Sequence, residues 1–192
     1  MNNGATIEDA TRRPPKLKAM LWRRIGRTAF RCTPRTAYST RRRLLGFFGA
    51  DLARTVKFRN TCSIDEPWNL TVGALTMFGD STIVRSASPI RVGQRCVISQ
   101  YSLLMTSMIE RDHDGRFHQT PRPIEIGDDC WVATDCLVLP GAKVPDGVVI
   151  GARSVIGGGL EPWTIATGAP AKSRRQRPPW REISKVEESA DG

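Results

Sequence analysis

The sequence predicts an all-β fold built as a three-sided parallel coil, and three observations carry that prediction. Ile126, Val132, Val138, Val144, Ile150 and Ile156 recur at a strict spacing of six, and all are β-branched aliphatics. The residue after each is commonly small or a turn former, as at Gly127, Ala133, Pro145, Gly151 and Gly157. The residue four places on is mostly compact: Cys130, Cys136, Ala142, Val148, Ser154 and Leu160. A hexapeptide cannot bury its apolar side alone. Short strands, three to a turn of about eighteen residues, bury it by stacking each β-branched residue on its copy one turn away. The small residue that follows lets the chain bend at a corner.

Taken in order, residues 1–16 read as a disordered tail of Asn, Gly, Thr and paired prolines. Residues 17–55 read as a basic helical segment. Leu17, Met20, Leu21, Ile25 and Ala29 fall near helical spacing, and Leu44, Leu45, Phe48 and Leu52 follow three arginines, with a turn at Thr33-Pro34 between the two runs. Two roles are open to this segment. It either caps the open end of the coil, as a solenoid's terminal turn requires, or lies as an amphipathic anchor on an anionic membrane surface. The coil is expected over 56–177. It starts with Phe58, Ile64, Val72, Phe78 and Val84, steps by eight rather than six at Ile64–Val72 and Val84–Val92, and continues through Ile98 and Leu104. Residues 105–123 then break the period with ERDHDGRFHQTPRP, a polar loop ejected from a scaffold that fixes both its ends. A last strand is expected at Trp163–Ala166, and 178–192 reads as a tail.

A length of 192 residues and 40% hydrophobic content fit one domain with appendages. No run approaches the apolar length of a membrane span, and the first twenty residues lack the apolar core of a secretory leader. Five cysteines sit at no metal-ligand spacing; Cys96, Cys130 and Cys136 fall on the compact inward phase. A reducing, cytoplasmic setting without a metal is therefore expected. The net charge of +10 is uneven: residues 1–59 hold fifteen Lys/Arg against three acids, residues 60–171 eight against twelve, and the rest six against four. The basic end suits anionic lipid or phosphate groups, and no nucleic-acid motif accompanies it.

The [Ile/Val]-Gly-x₄ repeat, IGDDCWVA at 126–133, LPGAKVPDGVVIGARSVI at 139–156 and GAPAK at 168–172 resemble hexapeptide-repeat acyltransferases of the left-handed β-helix type. EPWNLTVG at 66–73, behind the basic aromatic segment, is similar to the colanic-acid-biosynthesis type of sugar O-acetyltransferase. The resemblance implies a left-handed parallel β-helix, a homotrimer with active sites between subunits, and acetyl transfer from acetyl-coenzyme A to a hydroxyl of a sugar or glycan precursor. It also implies a loop histidine as base, because an alcohol is a poor nucleophile at neutral pH. The only histidines are His113 and His118, both in the ejected loop. The register counted from Val92 puts the family's base at Ile109 or Glu110, and neither is histidine. Three alternatives stand. An insertion retains the His-Asp pair as His113-Asp114, with Asp114 or Asp112 orienting the imidazole; or Glu110 or Asp112 takes over; or the site is altered and the chain is a scaffold or sugar-binding relative. His113 is the expected base. For the coenzyme, the resemblance points to Trp131 as an apolar wall, Thr134 and Ala152 beside the pantetheine, and Lys172 and Arg175 at the phosphates. A zinc carbonic anhydrase on the same prism would need three histidine ligands, which two histidines cannot supply.

Overall fold

The structure is a computed structural model and describes residues 14–178; the tail expected at 178–192 lies almost wholly outside these, as do residues 1–13. Three parallel sheets wrap a single core, so the chain is a β-solenoid. The first sheet stacks Asp51–Leu52, Leu70–Val72, Ile90–Val92, Ile124–Ile126 and Lys143–Val144. The second stacks Lys57–Phe58, Met77–Phe78, Val97–Ile98, Trp131–Val132, Val149–Ile150 and Thr164–Gly168, with Ala171–Gln176 antiparallel at its edge. The third stacks Ser63–Ile64, Ile83–Arg85, Leu103–Met105, Leu137–Val138 and Val155–Ile156. Five turns are thus complete, and a sixth begins.

The six residues of the strict repeat are all buried, and each sits over its counterpart: Val132 pairs with Ile150 and Ile98, and Val138 with Ile156 and Leu104. Between these aliphatic columns run narrower ones of Thr76, Cys96 and Cys130, and of Thr82, Ser102 and Cys136, all buried. They fill the prism's corners, where larger side chains would collide. Burial pushes the Cys62 thiol, in the same corner, up to about 12.

The corners have a common device. Leu75, Ser81, Arg95, Tyr101, Asp129, Asp135, Arg153 and Trp163 adopt φ between +54° and +62°. This left-handed turn aims several of their N–H groups along the coil axis, where Arg95 donates to the Ala74 carbonyl, Asp129 to Gln94 and Arg153 to Thr134. Carboxylates reinforce one edge: Asp146 Oδ1 accepts from the Asp128 amide at 2.8 Å, and Asp128 Oδ1 from the Gln94 amide at 2.9 Å. Gly147 (φ +72°) must be glycine because a Cβ there would overlap the Trp163 ring.

The start of the coil is closed by helices. Lys16–Leu21, a π-helical turn over Trp22–Gly26 and Arg27–Arg31 run on without a break, and Tyr38–Phe47 follows after the turn at Thr33-Pro34. Trp22, Phe30, Leu45 and Phe48 join the core beside Val56, Phe58 and Ile64, and the Phe58 and Phe78 rings stack at 4.6 Å. Arg41 is fully buried without a carboxylate partner. It donates instead to the carbonyls of Phe58, Pro34 and Arg35 and to Thr33 Oγ1, at 2.7–2.8 Å, clasping helix and turn to the first coil. Its pKa is lowered by desolvation.

Several expectations need correction. In the first helical run Leu17, Met20, Leu21 and Ile25 face out, whereas Trp22, Gly26 and Phe30 face in. The second helix ends at Phe47, and Leu52 belongs to the first strand. Ala171–Gln176, within the span expected as coil, forms an antiparallel edge strand rather than a further coil side, because backbone pairing with Thr164–Gly168 favours extension whatever its polarity.

Candidate active site

The ejected segment leaves the coil at the corner between the third and first sheets. Thr106 anchors it. Its N–H donates to the Arg85 carbonyl at 3.0 Å, its hydroxyl accepts from the Ser88 amide at 2.9 Å, and its carbonyl accepts from the Arg122 amide at 2.7 Å. Between these roots stands an antiparallel hairpin, Ile109–Arg111 with Phe117–Gln119, which sequence reading left as plain loop. The Asp112 carboxylate accepts from the Arg116 amide at 2.8 Å and so closes the turn rather than orienting an imidazole. Arg111 braces the turn by donating from Nε to the Gly115 carbonyl at 3.1 Å.

The two histidines stand differently on this hairpin. His113 is exposed in the turn. His118 lies directly across from Glu110, with Nε2 at 3.9 Å from Glu110 Oε2, while Glu110 Oε1 accepts from Arg122 Nη2 at 2.6 Å. Arg122 thereby fixes the carboxylate and leaves its other oxygen toward the imidazole. Ile109 is 66% exposed and pairs with Gln119. The imidazole of His118 is thus one cross-strand step from the register position where the family's base was expected.

The coenzyme candidates collect elsewhere, on the second sheet and its far corner. Trp131 is 49% exposed, and its Nε1 donates to Ser99 Oγ at 2.9 Å, which fixes the ring's tilt. Strand register places Val149 beside Trp131, Ile165 beside Val149, and Arg175 beside Ile165. At about 4.8 Å per strand, this outward column spans roughly 14 Å. It is an apolar ladder with a cation at its top. At the adjoining corner Thr134 Oγ1 donates to the Gln100 carbonyl at 3.0 Å, the Thr134 carbonyl accepts from Arg153 one turn on, and Ala152 is exposed in that next turn. Lys172 pairs with Thr167, whose methyl lies over Gly151. Trp131, Thr134, Ala152, Lys172 and Arg175 therefore share one face and one edge of the prism. The hairpin rises from a different edge, with the third sheet between, so a single protomer does not bring the histidines to the ladder.

A cleft of about 810 Å³ opens between the first helix and the coil. Lys16, Arg23 and Arg24 line one side, Glu66 and Asn69 the other, and Pro121 of the hairpin's return reaches its rim. Asn69 is 6% exposed. Its Nδ2 donates to the Ser86 carbonyl at 2.7 Å, while its Oδ1 has no partner. A buried acceptor without a partner is costly. Sequence reading missed this cleft. Its only signal was the eight-residue step at Pro67-Trp68-Asn69, where a short 3₁₀ turn widens the coil. Among the described residues no group of three or more His, Cys, Asp or Glu is placed to hold a metal ion.

Fold, hairpin and ladder together make a hexapeptide-repeat β-solenoid with an ejected hairpin, and comparison with known proteins gives the family. The chain is 35% identical over 176 residues, covering 91% of its length and 96% of the relative's, to the Escherichia coli strain K12 protein assigned as colanic acid biosynthesis acetyltransferase WcaF. It belongs to that family of acetyltransferases. A chloramphenicol acetyltransferase of Escherichia coli matches locally, 44% identical over 59 residues that cover 31% of this chain and 28% of that one. Among solved structures, a maltose O-acetyltransferase from Clostridium difficile 630 superposes with TM-score 0.75 at 22% identity, covering 86% of this chain and 90% of that one. A hexapeptide-repeat acetyltransferase from Vibrio cholerae, complexed with acetyl-coenzyme A, superposes with TM-score 0.73 at 19% identity, covering 85% and 87%. No family model matches the chain.

Proposed function

We propose that this protein transfers an acetyl group from acetyl-coenzyme A to a hydroxyl of a sugar or glycan precursor, working as a homotrimer in the cytoplasm. The observation that carries the reading is the ladder of Trp131, Val149 and Ile165 ending at Arg175, with Lys172 nearby. It suits a long ligand with an apolar arm and an anionic end, which is the chemistry of a coenzyme A thioester. Thr134 and Ala152 leave the adjoining corner low enough for the arm to lie along it. Incompleteness of the single protomer supports the trimer. The ladder and the hairpin occupy different edges of one prism, so in this reading a neighbour's hairpin supplies the base.

Acetyl-coenzyme A supplies an activated carbonyl, and the chain's residues do the rest. The imidazole takes the acceptor hydroxyl's proton as that oxygen bonds to the acetyl carbon. The carbon–sulfur bond breaks, and the proton passes on to the departing thiolate. His113 can play this part from the turn. The carboxylate held by Arg122 beside His118 favours His118, since a base needs a partner that orients its ring and stabilises its charged form. The acceptor fits the helix–coil cleft, where the Glu66 carboxylate can receive a sugar hydroxyl and Lys16 and Arg24 a phosphate. A phosphate-bearing precursor is therefore the substrate class.

The test is thiol release from acetyl-coenzyme A over a panel of free and phosphate-linked sugars. His118→Gln is expected to lower turnover about 10²–10⁴-fold with little change in KM, and His113→Gln to leave it nearly unchanged. The reverse pattern would move the base to the turn. No turnover with any acceptor, together with no thermal shift at millimolar coenzyme A, would instead make this a non-catalytic relative.

A further inference from the structure

The helical cap has an outer face that its packing leaves unused. Trp22, Gly26 and Phe30 turn inward, so Leu17, Leu21 and Ile25, at successive steps of four, form a stripe on the opposite side. Leu17 is 71% and Ile25 59% exposed. Phe47 of the second helix, 64% exposed, extends the apolar area, and Lys18 Nζ stands 5.5 Å from its ring. Residues 14–50 contain ten Lys/Arg and no Asp or Glu. Arg23, Arg27 and Arg35 are engaged by Glu66, Asp65 and Asp80 of the coil, and Arg41 is buried. Lys16, Arg24, Arg31 and Arg43 are exposed, and none takes part in an ion pair among the described residues.

We infer that this face seats the protein on an anionic membrane surface. The aliphatic stripe enters the headgroup boundary, and the flanking cations meet the lipid phosphates. Charge argues against the other occupants. Two copies of a helical segment that holds ten Lys/Arg and no acid of its own would repel each other, and aliphatic side chains offer nucleic-acid bases no stacking platform. No helix among the described residues is long and apolar enough to cross a membrane, so the contact is peripheral. Lys16, Met20 and Arg24 also line the helix–coil cleft. The docked face and the cleft are therefore two sides of one helix, and an acceptor held at a lipid surface would meet the cleft there.

Vesicle sedimentation of the full-length protein tests this without reference to turnover. Vesicles of phosphatidylcholine with phosphatidylglycerol should pull the protein down at low salt, pure phosphatidylcholine should not, and raising ionic strength should weaken binding several-fold. The triple variant Leu17→Ser, Leu21→Ser, Ile25→Ser should lose binding while keeping the parent melting temperature, because all three side chains point away from the core. Arg24→Glu with Arg31→Glu should lose it as well. Equal binding by parent and triple variant, or no binding to anionic vesicles, overturns the inference. So does a concentration-dependent mass in lipid-free solution that the triple variant abolishes, which would give the stripe to a second copy.

Discussion

At Thr106 the chain passes between two kinds of order. In the middle turns of the coil each inward side chain is fixed from above and below by its counterparts: Val132 lies between Ile98 and Ile150, and Val138 between Leu104 and Ile156. In the hairpin that follows, all but Glu110 and Gly115 of residues 109–119 are exposed, and the links are polar and local, such as Arg122 to Glu110 and Arg111 to Gly115. The first arrangement makes a residue's place redundant. The second leaves the histidines exposed where a ligand can meet them. A rigid prism carrying one soft projection can change its chemistry without endangering its fold.

That contrast is breakable at its strong end. Phe78→Ala opens a cavity beneath the stacked Phe58 ring and should cost about 3–5 kcal/mol, a fall in melting temperature of about 10 °C for a chain of this size. Differential scanning calorimetry reads it directly. His118→Gln, in the hairpin, should leave the melting temperature within about 1 °C, the cost usual for exposed substitutions. A large loss there would show that the hairpin helps hold the coil. Arg41→Ala ranks next. It strands the carbonyls of Phe58, Pro34 and Arg35, and a cost of about 2–4 kcal/mol is expected in urea titration. Little change would mean that the helical cap docks without its clasp.

The smallest effect sharpens the coil's surface. Arg95 grips Asp129 with both arms at 2.7 Å, and that hydrogen bonding holds the Asp129 carboxyl below its ordinary 3.8. A depressed carboxyl contributes stability that is fully present above the unfolded value and disappears as pH falls through the folded one. Asp129→Asn should therefore lower stability by under about 1 kcal/mol from neutrality down to about pH 4, with the gap to the parent closing below that. Urea midpoints across this range measure it. A gap that stays constant into acid would assign the effect to something other than the charge.

The repeat was legible because its signal is redundant: one β-branched residue every six, checked at each turn, leaves no other fold that buries them together. The capping helices were legible as helices but not in orientation. Leu17, Leu21 and Ile25 make one stripe and Trp22, Gly26 and Phe30 another, and periodicity does not say which one meets the protein. The exposed strands of the hairpin and of Ala171–Gln176 form by pairing rather than burial, so they leave no apolar alternation to read. On the site, Trp131 and Arg175 were offered by the resemblance to the family's motifs, and only the strand register of the structure sets them in one column. The Glu110–His118 pairing was not legible, since it depends on where the hairpin folds back. Asn69 was hidden by its neighbours, because an irregular turn between two regular strands reads first as spacing.

The left-handed corners also mark where this scaffold has room to be made sturdier. A non-glycine residue in that conformation carries roughly 1–2 kcal/mol of backbone strain, and eight such residues stand at the corners. Asp and Asn tolerate it well through local hydrogen bonds; leucine, as at the exposed Leu75, does not. An engineer seeking a robust prism on which to graft other loops would begin with the bends, where glycine or asparagine could relieve strain the native sequence still carries.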